Sequence, residues 1–135
     1  MGRWEEREHT ADLSIHVWGA DLEDLFATAA RGLFALVTDV DAVPTTISET
    51  VRLEAIDAEA LLVDWLNELL YLAERDPLTA YVAFDFEHLT ETSLVAHVRG
   101  GSLEALHAYV KAAAYHNLEV GGTREGYETE IVFDV

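Results

Sequence analysis

"DAEALLVDWLNELLYLAER", residues 57–75, reads as a helix with very little of its surface meant for water. Asp57 is the N-cap, a short acid whose carboxylate accepts a hydrogen bond from the backbone of the first turn. Behind it, apolar side chains cover nearly the whole circumference, and the polar ones narrow to a stripe of Asp64, Asn67, Glu68 and Arg75. A surface helix buries one face; a helix this apolar buries most of its circumference. It must pack on a sheet, and on a second helix as well.

Working outward supplies both. Upstream, residues 47–56 alternate through Val51, Leu53 and Ala55, the period of a strand. Before them, Asp21 caps a helix over residues 21–38, with Asp24 in its first turn and Leu22, Leu25, Phe26, Ala29, Ala30, Leu33, Leu36 and Val37 at helical spacing. Earlier still, Leu13, Ile15 and Val17 alternate with Ser14, His16 and Trp18, and Gly19 ends that strand. Downstream, "YVAFDFEHLTE" (81–91) and "TSLVAHVRGG" (92–101) form a hairpin turning at Thr90–Thr92. Residues 107–116, "HAYVKAAAYH", are read as a strand from their alternation, although alanine favours helix; residues 127–135 form the last strand. "RGGS" (99–102) and "VGGT" (120–123) lack the helix and lysine of a phosphate loop and read as hairpin turns. Strands clustered after early helices indicate an α+β fold, two helices packed on a mostly antiparallel or mixed sheet, as a single domain over residues 1–135.

Composition narrows the function classes. Half of the 135 residues are apolar, enough for a core and too many for a disordered chain. No cysteine is present, so disulfides and thiolate metal sites are excluded. Twenty-six acids against eight bases give a formal charge of −18, which repels a phosphate backbone, so no direct stable nucleic-acid binding is expected. The start "MGRWEEREHTADL" lacks the apolar core of a signal peptide, and no apolar run reaches transmembrane length. The expectation is a soluble, cytoplasmic protein, with oligomeric state left open. Seven of the eight bases are arginines, and Lys111 is the single lysine.

The chemical candidates are few. His9, His16, His88, His97, His107 and His116 show neither helical pairing nor the close spacing of a zinc site, so zinc is rejected. No nucleophile elbow supports Ser/His/Asp catalysis. Asp64 and Asn67 share a helix face and read first as solvated or capping groups, with partner contact second. Lys111 shares a strand face with Tyr109 and Tyr115, an ordinary surface arrangement. The ending "EIVFDV" (130–135) is less ordinary, because Asp134 stands one residue from the backbone carboxylate of Val135. Two such acids repel unless a cation lies between them. Asp12, in "EHTADLS" (8–14), directly precedes a strand; if the first and last strands are neighbours, Asp12, Asp134 and the Val135 carboxylate converge. These are hard oxygen donors, suited to calcium, magnesium or manganese. Spacing alone does not separate this from a chance meeting of distant acids.

"HTADLSIHVWG" (9–19), "DLEDLFATAARGLF" (21–34), "LLVDWLNELLYL" (61–72), "VKAAAYHNLEV" (110–120) and the final "IVFDV" (131–135), in this order, resemble the archease family over essentially the whole chain. The resemblance implies an α+β fold and an accessory, non-catalytic protein of the RtcB-type RNA ligase, which joins RNA ends in tRNA splicing and RNA repair. It implies that the protein promotes guanylylation of the ligase's active-site histidine and multiple turnover, and broadens which nucleoside triphosphate is used. Residue by residue, the acid of the family's "HTAD" motif falls on Asp12, the acid of its terminal "FD" on Asp134, and its last residue on Val135. The resemblance associates this set with calcium, with magnesium or manganese as alternatives. The family's functional lysine falls on Lys111, in a block reading "KAAAYH". Two other readings compete: an independent metal-dependent phosphoester hydrolase using the same acids, and a small acidic chaperone-like domain.

Overall fold

Among the described residues every strand pairing is antiparallel, and the strands divide between two sheets with the helices between them. The computed structural model describes residues 2–8, 13–75, 77–104, 110–114, 120–123 and 126–134. The chain runs β1 (Arg3–Glu8), β2 (Leu13–Gly19), α1 (Leu22–Val37), a 3-10 turn (Val40–Ala42), β3 (Ile47–Glu54) and α2 (Ala58–Glu74). It continues through β4 (Thr79–Leu89), β5 (Ser93–Ser102), β6 (Ala112–Ala114), β7 (Gly121–Thr123) and β8 (Gly126–Asp134). The first sheet has the order β1-β2-β8-β6, with β7 also on β8; the second has the order β3-β5-β4. The first and last long strands are therefore neighbours, with Leu13 opposite Phe133.

Both helices begin where their acids dictate. Asp21 Oδ1 accepts from the Asp24 N–H at 2.8 Å, and Asp24 Oδ2 accepts in return from the Ala20 N–H at 2.8 Å. The first bond satisfies a donor that the helix itself leaves open, and the second ties the residue before the cap to the first turn. At α2, Asp57 Oδ1 accepts from the Ala60 N–H at 2.8 Å.

The two sheets explain why neither helix carries a broad polar face. On one side of α1, Gly32 lies so close to the first sheet that an added Cβ would stand 2.9 Å from Ile15 Cδ1 and 3.0 Å from Trp4 Cγ. On the other side, Phe26 meets Phe86 edge-on at 6.5 Å and Phe34 meets Tyr81 at 6.1 Å, both on β4. Leu25, Phe26, Ala29, Ala30 and Leu33 are fully buried. Each large apolar side chain so buried contributes about 1.5–3 kcal/mol. From α2, Trp65 packs its indole on Phe84 and Phe86 at 5.8 and 5.3 Å and donates Nε1–H to the Phe26 carbonyl at 3.0 Å. That bond fixes the rotation of α2 against α1.

Three readings from the sequence change. "RGGS" is the end of β5, not a turn: Gly100 lies against Ala80, and an added Cβ would strike the Ala80 carbonyl. "VGGT" places its glycines in β7, paired with β8 as far as Thr123 opposite Gly126, so they stand beside the chain reversal and not in it. "RWEERE" is a strand that the charge-rich sequence concealed. Of the expected strand at 107–116, Ala112–Ala114 is observed and residues 107–109 and 115–116 lie outside the described residues.

Candidate functional site

β8 ends at Asp134, and the short strand β6 runs beside that end. Ala112 is the register partner of Asp134, and the Lys111 N–H also donates to the Asp134 carbonyl at 2.8 Å. Two successive residues thus address one, the count of a β-bulge, a device that re-aims side chains at strand ends. Val110 and Ala113 on either side are buried at 2% and 5% exposure, whereas Lys111 is exposed. The burial of its neighbours anchors the backbone and leaves the lysine side chain exposed. Asp134 is likewise exposed. Among the described residues, neither side chain engages in a hydrogen bond or ion pair. The structure thus brings together two of the four residues singled out from the sequence, well apart in the chain.

Asp12 and Val135 lie outside the described residues, as do Tyr109 and Tyr115. The described pairing of β2 with β8 reaches Leu13 opposite Phe133, the immediate neighbours of Asp12 and Asp134 in the chain. An exposed carboxylate with no side-chain partner among the described residues is chemically a hard oxygen donor, the type that a divalent cation takes as a ligand.

From the sequence, Asn67 reads with Asp64 as a solvated or capping group, with partner contact second; the structure instead half-buries it against β6. Its Oδ1 accepts from the Ala113 N–H at 2.7 Å, and its Nδ2 donates to the Ala113 carbonyl at 3.3 Å. The side-chain amide of α2 thereby takes the place of one further strand residue on the free edge of β6. Two such bonds contribute roughly 1 kcal/mol each. Eight residues earlier on α2, Glu59 Oε1 accepts from the Val120 N–H at 3.3 Å. The only available signal was an amide within an otherwise apolar helix, which does not say whether it faces water or backbone.

Of the six histidines, His9, His107 and His116 lie outside the described residues, and His16, His88 and His97 serve elsewhere. His16 Nε2 lies 3.2 Å from Glu128 and its Nδ1 3.8 Å from Glu130, and the ring stacks on Trp18 at 4.3 Å. His97 bonds Thr50 at 3.2 Å and lies 3.7 Å from Glu87. Such partly exposed pairs contribute little to stability. Asp64 is exposed on α2, consistent with a solvated group.

The chain matches the model of the Archease protein family (MTH1598/TM1083) over residues 4–135. A protein archease of Methanopyrus kandleri is 34% identical, covering 98% of this chain and 99% of its own. One from Methanosarcina barkeri is 30% identical over 98% of this chain and 96% of its own. One from Saccharolobus islandicus is 32% identical over the full length of both. The solution structure of Methanobacterium thermoautotrophicum protein 1598 superimposes with a TM-score of 0.79 at 24% identity, covering 98% of each chain, and so shares the fold. With a family match across nearly all of its length and full-length relatives above 30% identity, this chain belongs to the archease family.

Proposed function

We propose that this protein is an accessory protein of RNA ligation in tRNA processing, not itself a catalyst, and that its partner is an RtcB-type RNA ligase. In this reading it promotes guanylylation of the ligase's active-site histidine and so allows multiple turnover. Family membership supports the general role. The observation that carries the finer reading is the meeting of Lys111 and Asp134 at one strand end, both exposed and uncommitted among the described residues.

Asp12, Asp134 and the Val135 carboxylate would hold a divalent cation, calcium first and magnesium or manganese as alternatives. Such an ion supplies neutralisation of triphosphate charge during phosphoryl-type transfer. Lys111 offers a compact positive charge to a phosphate or to an acid of the ligase, and the bulge at Asp134 holds its backbone in place. A net charge of −18 suits docking on a basic partner surface rather than on RNA itself.

Asp134→Ala tests the reading. Calorimetric titration with calcium should show binding to the unaltered protein and none to the variant, and guanylylation of the ligase should fall to its unassisted level. Full stimulation by a folded Asp134→Ala protein would remove the carboxylate from the mechanism.

A further inference from the structure

β6 is only three residues long, and on one side it is held by β8 through the register Ala112–Asp134, Ala113–Phe133 and Ala114–Val132. Short edge strands with one partner open readily, because few bonds must break together. Yet this strand begins one residue after Lys111, whose backbone is bonded to Asp134. Something on the other side must hold it. That side is met by α2, and the contact is a two-point pairing: Asn67 Oδ1 with the Ala113 N–H at 2.7 Å, and Asn67 Nδ2 with the Ala113 carbonyl at 3.3 Å. The side chain can do this because α2 cannot rotate. Trp65, two residues earlier and fully buried, is bonded through Nε1 to the Phe26 carbonyl at 3.0 Å.

We infer that Asn67 is the positioning residue of the Lys111–Asp134 strand end, setting through Ala113 where the lysine is presented to the ligase. This rests on the accessory-protein reading above and deepens it. The chain of contacts is continuous: α1 fixes Trp65, Trp65 fixes the rotation of α2, Asn67 fixes Ala113, and the strand carries that placement two residues back to Lys111. Only an amide serves. It is the side chain that donates and accepts from adjacent atoms in the geometry of a peptide group. An aspartate keeps the acceptor for the Ala113 N–H but sets a negative oxygen against the Ala113 carbonyl. An alanine removes both bonds and leaves the strand edge open.

The test uses the full chain with a purified RtcB-type ligase, comparing the unaltered protein with Asn67→Ala and Asn67→Asp. Amide hydrogen exchange reads the strand, and the activator concentration dependence of guanylylation separates half-saturation from maximal stimulation. Exchange at Ala113 and Lys111 should quicken by about tenfold or more in Asn67→Ala, the size expected for losing two ordinary hydrogen bonds, and by less in Asn67→Asp, which keeps the acceptor for the Ala113 N–H. Maximal stimulation should fall by a similar factor with half-saturation little changed, because docking surfaces are intact and presentation is not. Thermal melts identify any variant that is merely unfolded, and Asn67→Asp, which preserves size and one bond, serves if Asn67→Ala melts early. Faster exchange with undiminished maximal stimulation would make Asn67 structural only and overturn the inference, as would unchanged exchange. Absence of stimulation by the unaltered protein would overturn the accessory-protein reading as well, and the control arm shows that case separately.

Discussion

Lys111 and Asp134 are informative because they are exposed and lack side-chain partners among the described residues. Removing such groups opens no cavity, so Lys111→Ala should change stability by less than about 0.5 kcal/mol, within the range for surface substitutions. Activation of the ligase should nevertheless fall. Lys111→Arg restores the charge but replaces a compact ammonium with a planar fork. It should recover little activation in the guanylylation assay; full recovery would mean that only the charge matters. Tyr81 gives a separate residue-scale prediction. It is 1% exposed, and burial first, then the negative charge of Glu49, raises its hydroxyl above 10.0, against an opposing effect of Arg75. Between 10.0 and the raised value, the unfolded chain has released a proton that the native chain keeps. Stability contributed by this group is therefore intact below 10.0 and lost as pH rises through that window. Tyr81→Phe should flatten the decline seen in denaturant melts across that range. Lys111 and Asp134 stood out in the sequence because a lone lysine and a paired terminal acid are unusual as letters. Asn67 stood out with Asp64 but read as solvated or capping, because the pattern of an apolar helix is the same whether its amide meets water or a strand.

At the scale of elements, α1, α2 and the β4–β5 hairpin were legible because their signals are local. Caps at Asp21 and Asp57 and the turn at Thr90, whose N–H donates to the Ser93 carbonyl at 2.9 Å, each involve residues a few positions apart. β1 was not legible, since alternation shows only when one face is apolar, and in "RWEERE" all but Trp4 are charged. The glycines of "RGGS" misled for a different reason. Glycine marks a turn when the backbone needs its conformational freedom, and here Gly100 marks a close approach of β5 to β4 and Gly101 one to Pro44. Gly100→Ala should therefore cost more than a turn substitution would. Its Cβ would strike the Ala80 backbone, which cannot rotate away, and a loss of about 2–4 kcal/mol is expected. Chemical denaturation measures it, and a loss below about 0.5 kcal/mol would show that the strands separate easily.

At the scale of the molecule, two sheets enclose the helices, so each sheet leaves an outer face to solvent. Sequence order supported antiparallel pairing and the α+β class. It did not reveal two sheets, because a helix apolar all round says that it is covered without saying by how many layers. The order did bring β2 beside β8, as the reading of the acids required, and with it the end of β8 beside Lys111. That strand end lies on a chain of net charge −18, so its association with a ligase should weaken as salt screens the attraction. The direct measurement is RNA joining by a purified RtcB-type ligase held well below its substrate concentration, with and without this protein. Product should exceed one equivalent per ligase only when the protein is present, and Asp134→Ala should return the yield to the unassisted level. Equal product in all three reactions would contradict the assignment of this protein as the ligase's activator.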